Sequence, residues 1–149
     1  MEIKDLKEQN ILAVRLTTSV KELPNALGLI YKEVASYMEA NNISFAGVPF
    51  TIYHNMDMEA LDIEAGFPTL KKEKAHGRIQ AGTIPAIKVA STIHTGPYST
   101  MGETYDHLQR FTSKKGCKVL PWMWESYLND PETVAPEALK TEIFFPLEG

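Results

Sequence analysis

Leu120-Pro121-Trp122-Met123-Trp124-Glu125-Ser126-Tyr127-Leu128 gathers both tryptophans of the chain around a single carboxylate. Bulky flat side chains suit a pleated surface, so the run reads as a β-strand over 119–128. Side chains alternate along a strand. Trp122, Trp124 and Ser126 therefore share one face, and Met123, Glu125 and Tyr127 share the other. A charge in aromatic company is costly to bury unless something pairs with it. Two kinds of partner are open. Neighbouring tyrosine hydroxyls would make Glu125 a structural carboxylate, and a ligand would make it a functional one.

Working outward, the order of elements before this strand occurs twice. In the first half, 2–7 and 10–18 read as strands with Gln9-Asn10 as the turn between them. Pro24 opens a helix, as proline does in a first turn, and Leu27, Ile30, Tyr31, Val34 and Met38 recur at helical spacing. Asn41-Asn42 ends it. Strands follow at 50–55 and 60–67. In the second half, strands at 78–83 and 86–95 flank Ile84-Pro85. Gly96-Pro97 leads into a helix with Met101, Tyr105, Leu108 and Phe111 on one face, and Gly116 ends it. The tryptophan strand and a last strand over 140–147 complete the half.

The sequences of the two halves agree at matching places. Pro49-Phe-Thr-Ile-Tyr-His-Asn55 lies against Pro121-Trp-Met-Trp-Glu-Ser-Tyr127, and Glu64-Ala-Gly-Phe-Pro68 against Glu142-Ile-Phe-Phe-Pro146. The expected fold is α+β: two strand-strand-helix-strand-strand halves, about 1–75 and 76–149, related by a pseudo-twofold axis. Antiparallel sheets would form a central ligand groove on the faces the helices leave open. In this alignment Glu125 corresponds to Tyr53, Trp122 to Phe50 and Trp124 to Ile52. A carboxylate and a phenol are thus expected from equivalent strands.

Composition narrows the function. At 149 residues, 44% hydrophobic and 23% charged, the chain is one ordinary globular domain. A net charge of −4 argues against nucleic-acid binding as the main task. The one lysine run, Lys71, Lys72 and Lys74, is short and interrupted by Glu73. No leader pattern and no apolar stretch near ~18 residues is found, so no membrane partner and a cytoplasmic location are expected. The single Cys117 excludes an internal disulfide and reads as a bland thiol. His54, His76, His94 and His107 are scattered without ligand spacing, so no metal and no cofactor are expected. Asp62 and Glu64 share a strand face, which reads as solvated.

The Trp124-Glu125-Ser126-Tyr127 strand followed by Asn129-Asp130-Pro131, the closing Glu142-Ile143-Phe144-Phe145-Pro146, and His94-Thr95-Gly96-Pro97-Tyr98 before the second helix together resemble the GyrI-like domain. This is the effector-binding domain of AraC- and MerR-type multidrug regulators, related in fold to the SOUL haem-binding proteins. The resemblance covers essentially the whole chain. It implies two modules about a pseudo-twofold axis, a groove for bulky aromatic and often cationic compounds, and a key glutamate matching Glu125. By position it implies a lining of Tyr53, Tyr98, Trp122 or Trp124, and Phe144. The strand pattern begins at Glu2, which leaves no room for the regulators' DNA-binding segment, so direct DNA binding is not expected. Standalone members of the family include toxin-sequestering proteins, gyrase inhibitors among them, and hydrolases of cyclopropane-containing genotoxins. Gyrase thus stands as a candidate protein partner.

Two chemistries fit Glu125. As a carboxylate it pairs with a ligand cation while aromatic walls add cation–π attraction of about 0.5–2 kcal/mol per contact. As a general base it takes a proton from water attacking a strained ring, with Tyr53 steadying the departing phenolate. Tyr127 shares its face and is a further groove candidate. One tryptophan is expected in the core and the other in the groove; alternation does not say which.

Overall fold

Turns rich in Gly, Pro and Asn cut residues 1–148, those described in this computed structural model, into eight strands and two α-helices. In chain order these are β1 (Glu2–Leu6), β2 (Gln9–Thr18), α1 (Leu23–Ala40), β3 (Phe50–Tyr53), β4 (Leu61–Pro68), β5 (Ile79–Ile84), β6 (Ile87–Thr95), α2 (Met101–Lys114), β7 (Met123–Tyr127) and β8 (Lys140–Pro146). Single 3-10 turns at Tyr98–Thr100 and Pro136–Ala138 precede α2 and β8. The strand pairings within each unit described below are antiparallel. The fold class is α+β, as the sequence implies.

The chain divides into two compact units. One spans Glu8–Pro85 and carries the ladder β3-β4-β2-β5 with α1. The other joins Met1–Lys7 to the chain from Ala86 onward and carries β7-β8-β6-β1 with α2. The two ladders have the same internal order, so the sequence repeat is a topological repeat. Its boundary differs from the expected 75/76 division. β1 pairs with β6, from Glu2↔Ser91 to Leu6↔Ile87, and β5 pairs with β2. The first strand of each half therefore belongs to the other half's ladder. The linkers explain this: Lys7-Glu8 and Pro85-Ala86 lack the Asn-Gly or Gly pairs that close tight hairpins. Gln9 and Asn10, read as a turn, are the first residues of β2.

In the α1 unit, Leu61, Ile63 and Ala65 alternate inward from β4 onto Ile30, Val34 and Met38 of α1, with Leu12, Val14 and Ile79 completing the core. The opposite β4 positions are polar and paired. Asp62 accepts two hydrogen bonds from Arg15, at 2.9 and 2.7 Å, and Glu64 lies 2.9 Å from His54 Nε2. The guanidinium beside Asp62 holds its carboxyl below the usual range. Pro24 stands in the first turn of α1, and Asn42, just past its end, takes the left-handed φ of 54°. Gly28, inside α1, would place a Cβ with no atom within 4 Å. Gly28→Ala should therefore raise unfolding stability by about 0.5–1 kcal/mol in urea denaturation, because it removes only the glycine entropy cost.

Among the described residues, no helix is long and apolar enough to cross a membrane.

Candidate functional site

The tryptophan strand is shorter than its sequence promised. Pro121 has no N–H to donate, Val119 makes only an isolated bridge to Leu147, and regular pairing begins at Met123. From there the ladder to β8 runs Trp124↔Phe144, Glu125↔Ile143, Ser126↔Glu142 and Tyr127↔Thr141. The alternation holds: Glu125 and Tyr127 share a face with Ile143 and Thr141.

That face is the one α2 covers. Tyr105 of α2 stacks on Phe145, with ring centres 6.0 Å apart, and its hydroxyl reaches Met123 Sδ at 3.9 Å. The same hydroxyl donates to Glu125 Oε2. Tyr127 donates to Oε1 at 2.9 Å from two positions along β7. Glu125 is only 7% exposed. A buried carboxylate is thus held by two phenols from different elements, and hydrogen bonds to a charged acceptor are the stronger kind. A carboxylate has about four acceptor positions. Two phenols are among the groups that occupy and orient them.

Tyr98, in the 3-10 turn before α2, closes the group. Its ring meets Tyr127 edge-on at 6.0 Å and is 44% exposed. Burial first, then the negative charges of Glu125 and Asp130, push its hydroxyl above the ordinary 10.0. The folded state therefore keeps this proton where the unfolded chain loses it. The stability it contributes is complete below pH 10 and falls as pH rises through the folded value. A titration of 13Cζ-labelled tyrosine should show Tyr98 ionising above an unfolded reference.

The other aromatic candidates gather on the opposite face. Trp122 stacks on Trp124 at 5.6 Å and 17°, and Trp124 on Phe144 at 4.7 Å and 12°. Lys4 Nζ sits 5.5 Å over the Phe144 ring and bonds Glu142 at 2.8 Å, which also accepts from Ser91. Trp124 is 3% exposed, while Trp122 is the partly covered end of the stack. Glu125, Tyr127 and Tyr98 are thus brought together, and Trp122, Trp124 and Phe144 form a separate cluster. Glu125 thus faces α2, whereas the groove was expected on the sheet faces the helices leave open. Tyr53 closes β3 in the α1 unit, paired with Ile63 and packed against that unit's core.

Tyr105 is the residue that sequence reading placed on the right helix face without giving it a role. A tyrosine among Met101 and Leu108 needs a hydroxyl partner when buried, and Glu125 needed a donor; that shared need was the available signal. His54 and His76 have local partners, Glu64 and the ring of Tyr37. Among the described residues no three His, Cys, Asp or Glu side chains converge as metal ligands would.

A buried carboxylate bonded by two tyrosines thus stands on a repeated strand-helix scaffold. The chain belongs to the GyrI-like small molecule binding domain family, whose model matches residues 1–148. Its fold is similar to that of EcmrR. The isolated EcmrR C-terminal domain gives a TM-score of 0.83 at 24% identity, covering 99% of this chain and 96% of that one. EcmrR in its DNA complex gives 0.87 at 24% identity, and there this chain spans 56% of the EcmrR chain. A hydrolase encoded by lin2189 from Listeria innocua gives 0.74 at 14% identity, over 99% and 91% of the two chains. SAV2435 bound to tetraphenylphosphonium gives 0.60 at 11% identity, over 99% and 93%. At these identities the likeness establishes the fold. No curated protein sequence matches the chain significantly.

Proposed function

We propose that this protein binds a bulky aromatic cation, with Glu125 as the counter-charge and the rings of Tyr98, Tyr105 and Tyr127 as walls. The observation that carries the proposal is the carboxylate itself, 7% exposed and oriented by two phenol hydroxyls. Each aromatic contact to a cation is worth about 0.5–2 kcal/mol, more as water is excluded. The tetraphenylphosphonium complex of SAV2435, a protein of the same fold, supports this ligand class. Tyr53, at the strand position equivalent to Glu125 in the repeat, enters this reading through the sequence alone. Trp122, Trp124 and Phe144, already stacked beneath Lys4, are supporting structure in it.

Titration calorimetry with tetraphenylphosphonium should show saturable one-to-one binding by the wild-type protein. Absence of binding across a set of triaryl and polycyclic cations would remove the proposal.

One observation favours a second reading: phenol hydroxyls stand directly on a potential base. In that reading Glu125 takes a proton from water, the water oxygen bonds a cyclopropane carbon, and the ring C–C bond breaks. The released electron pair moves into a dienone conjugated to that ring, which becomes a phenolate steadied by a tyrosine hydroxyl and then takes up the proton, for a net gain of one water. Mass spectrometry of a cyclopropane genotoxin incubated with wild type and with Glu125→Gln tests it. The gain of one water, lost in the variant, is the result it requires.

A further inference from the structure

His94 is the other titratable side chain buried on the α2 face of this ladder, 6% exposed and opposite Thr141 in the β6–β8 register. Both of its ring nitrogens are engaged by the segment that carries Tyr98 and Tyr105. Nε2 lies 3.0 Å from the Pro97 carbonyl oxygen. A carbonyl only accepts, so Nε2 carries the proton. Thr100 Oγ1 lies 3.1 Å from the same nitrogen and itself donates to Pro97 at 2.8 Å. In the neutral ring Nδ1 then accepts, and the Thr104 hydroxyl donates to it at 2.6 Å.

The sequence positions give this arrangement its meaning. Pro97 immediately precedes Tyr98, and Thr104 immediately precedes Tyr105. One imidazole therefore ties the backbone before the first tyrosine to the helix turn that holds the second. Gly96 shapes the turn between them: its φ of 130° is a backbone conformation that residues with a side chain rarely adopt. Its own N–H donates to Leu139 at 2.8 Å, fastening the turn from the other side.

We infer that His94 is a positioning residue: through Pro97 and Thr104 it sets the Tyr98 ring against Tyr127 and the Tyr105 hydroxyl against Glu125. Its hydrogen-bond partners are Thr104, Pro97 and Thr100. The inference rests on the reading of Glu125 as the ligand carboxylate, and it adds that the site is preorganised before ligand arrives, so that less ordering is required on binding.

A double-mutant cycle with tetraphenylphosphonium as probe tests the Thr104 arm. Thr104→Val removes only the bond to Nδ1 and should weaken binding about 3- to 10-fold. In a Tyr105→Phe background, where the hydroxyl to be positioned is gone, Thr104→Val should change affinity less than about twofold. Equal weakening in both backgrounds would overturn the link to Tyr105. The Pro97 arm is read without any ligand, from the 13Cζ titration of Tyr98. His94→Phe should bring Tyr98 down toward its ordinary ionisation, while His94→Gln, which keeps a donor for Pro97, should retain the wild-type midpoint. An unchanged Tyr98 titration in His94→Phe, or a fall in His94→Gln equal to that in His94→Phe, would overturn it. If wild type binds no cation, the ligand reading fails, and the Tyr98 titration still decides whether His94 positions the turn.

Discussion

Glu125→Gln should weaken tetraphenylphosphonium binding by about 10- to 100-fold while leaving the fold in place. A hydrogen-bonded or ion-paired charge in a shielded site is worth about 1.5–3 kcal/mol, and each 1.4 kcal/mol is a factor of ten. Glutamine keeps the volume and the Oε1 acceptor, so the Tyr127 bond at 2.9 Å can survive. The amide group facing Tyr105 becomes a donor, and that phenol must rotate to accept. The local rearrangement is small and the lost charge is the main effect. If Glu125 served only to satisfy the two tyrosines, the same substitution would appear in the melting temperature and leave affinity unchanged. Calorimetric affinity and thermal unfolding, measured on one preparation, separate the two roles.

The largest effect on stability is expected from Gly66→Ala. Gly66 lies in β4 between two partners, opposite Ala13 of β2 and Phe50 of β3. A Cβ at this position would fall 1.9 Å from the Leu12 carbonyl oxygen and 2.8 Å from Ala13 Cα. Both are backbone atoms of a paired strand, so no rotamer change relieves the overlap; β2 and β4 would have to separate. Leu12, Val14, Ile63 and Ala65, which flank the point of contact, all lie in the core of the α1 unit. A loss of about 3 kcal/mol or more is expected, above the usual 1–3 kcal/mol of an overpacked core site because backbone has to move. Urea denaturation against Gly28→Ala, the same chemical change in open space, provides the comparison. The two variants should move stability in opposite directions.

These outcomes bear on how far the sequence could be read. Alternation alone placed Met123, Glu125 and Tyr127 together and Trp122 and Trp124 on the far side, because side-chain direction on a strand is local geometry. The repeated order of elements likewise emerged as repeated ladder topology. Partner choice was not local. A period-two pattern in residues 2–6 shows that a strand forms but carries no information about which strand it pairs with, so the exchange of β1 and β5 went unread. The same limit hid Tyr105. Its place on the apolar face of α2 followed from helical spacing, but nothing in that spacing says which sheet face α2 covers. Pro121 shortened β7 for a reason already visible in the sequence, the missing N–H, outweighed in the reading by the β-propensity of the tryptophans around it.

The central claim is that the charge of Glu125, more than the area of the surrounding rings, selects the ligand. Tetraphenylphosphonium and tetraphenylborate share shape and apolar surface and differ in the sign of charge, so their affinities for the wild-type protein, measured side by side by titration calorimetry, isolate that term. The phosphonium should bind and the borate should not, and Glu125→Gln should narrow the difference. Equal binding of both ions, or tighter binding of the borate, would contradict it.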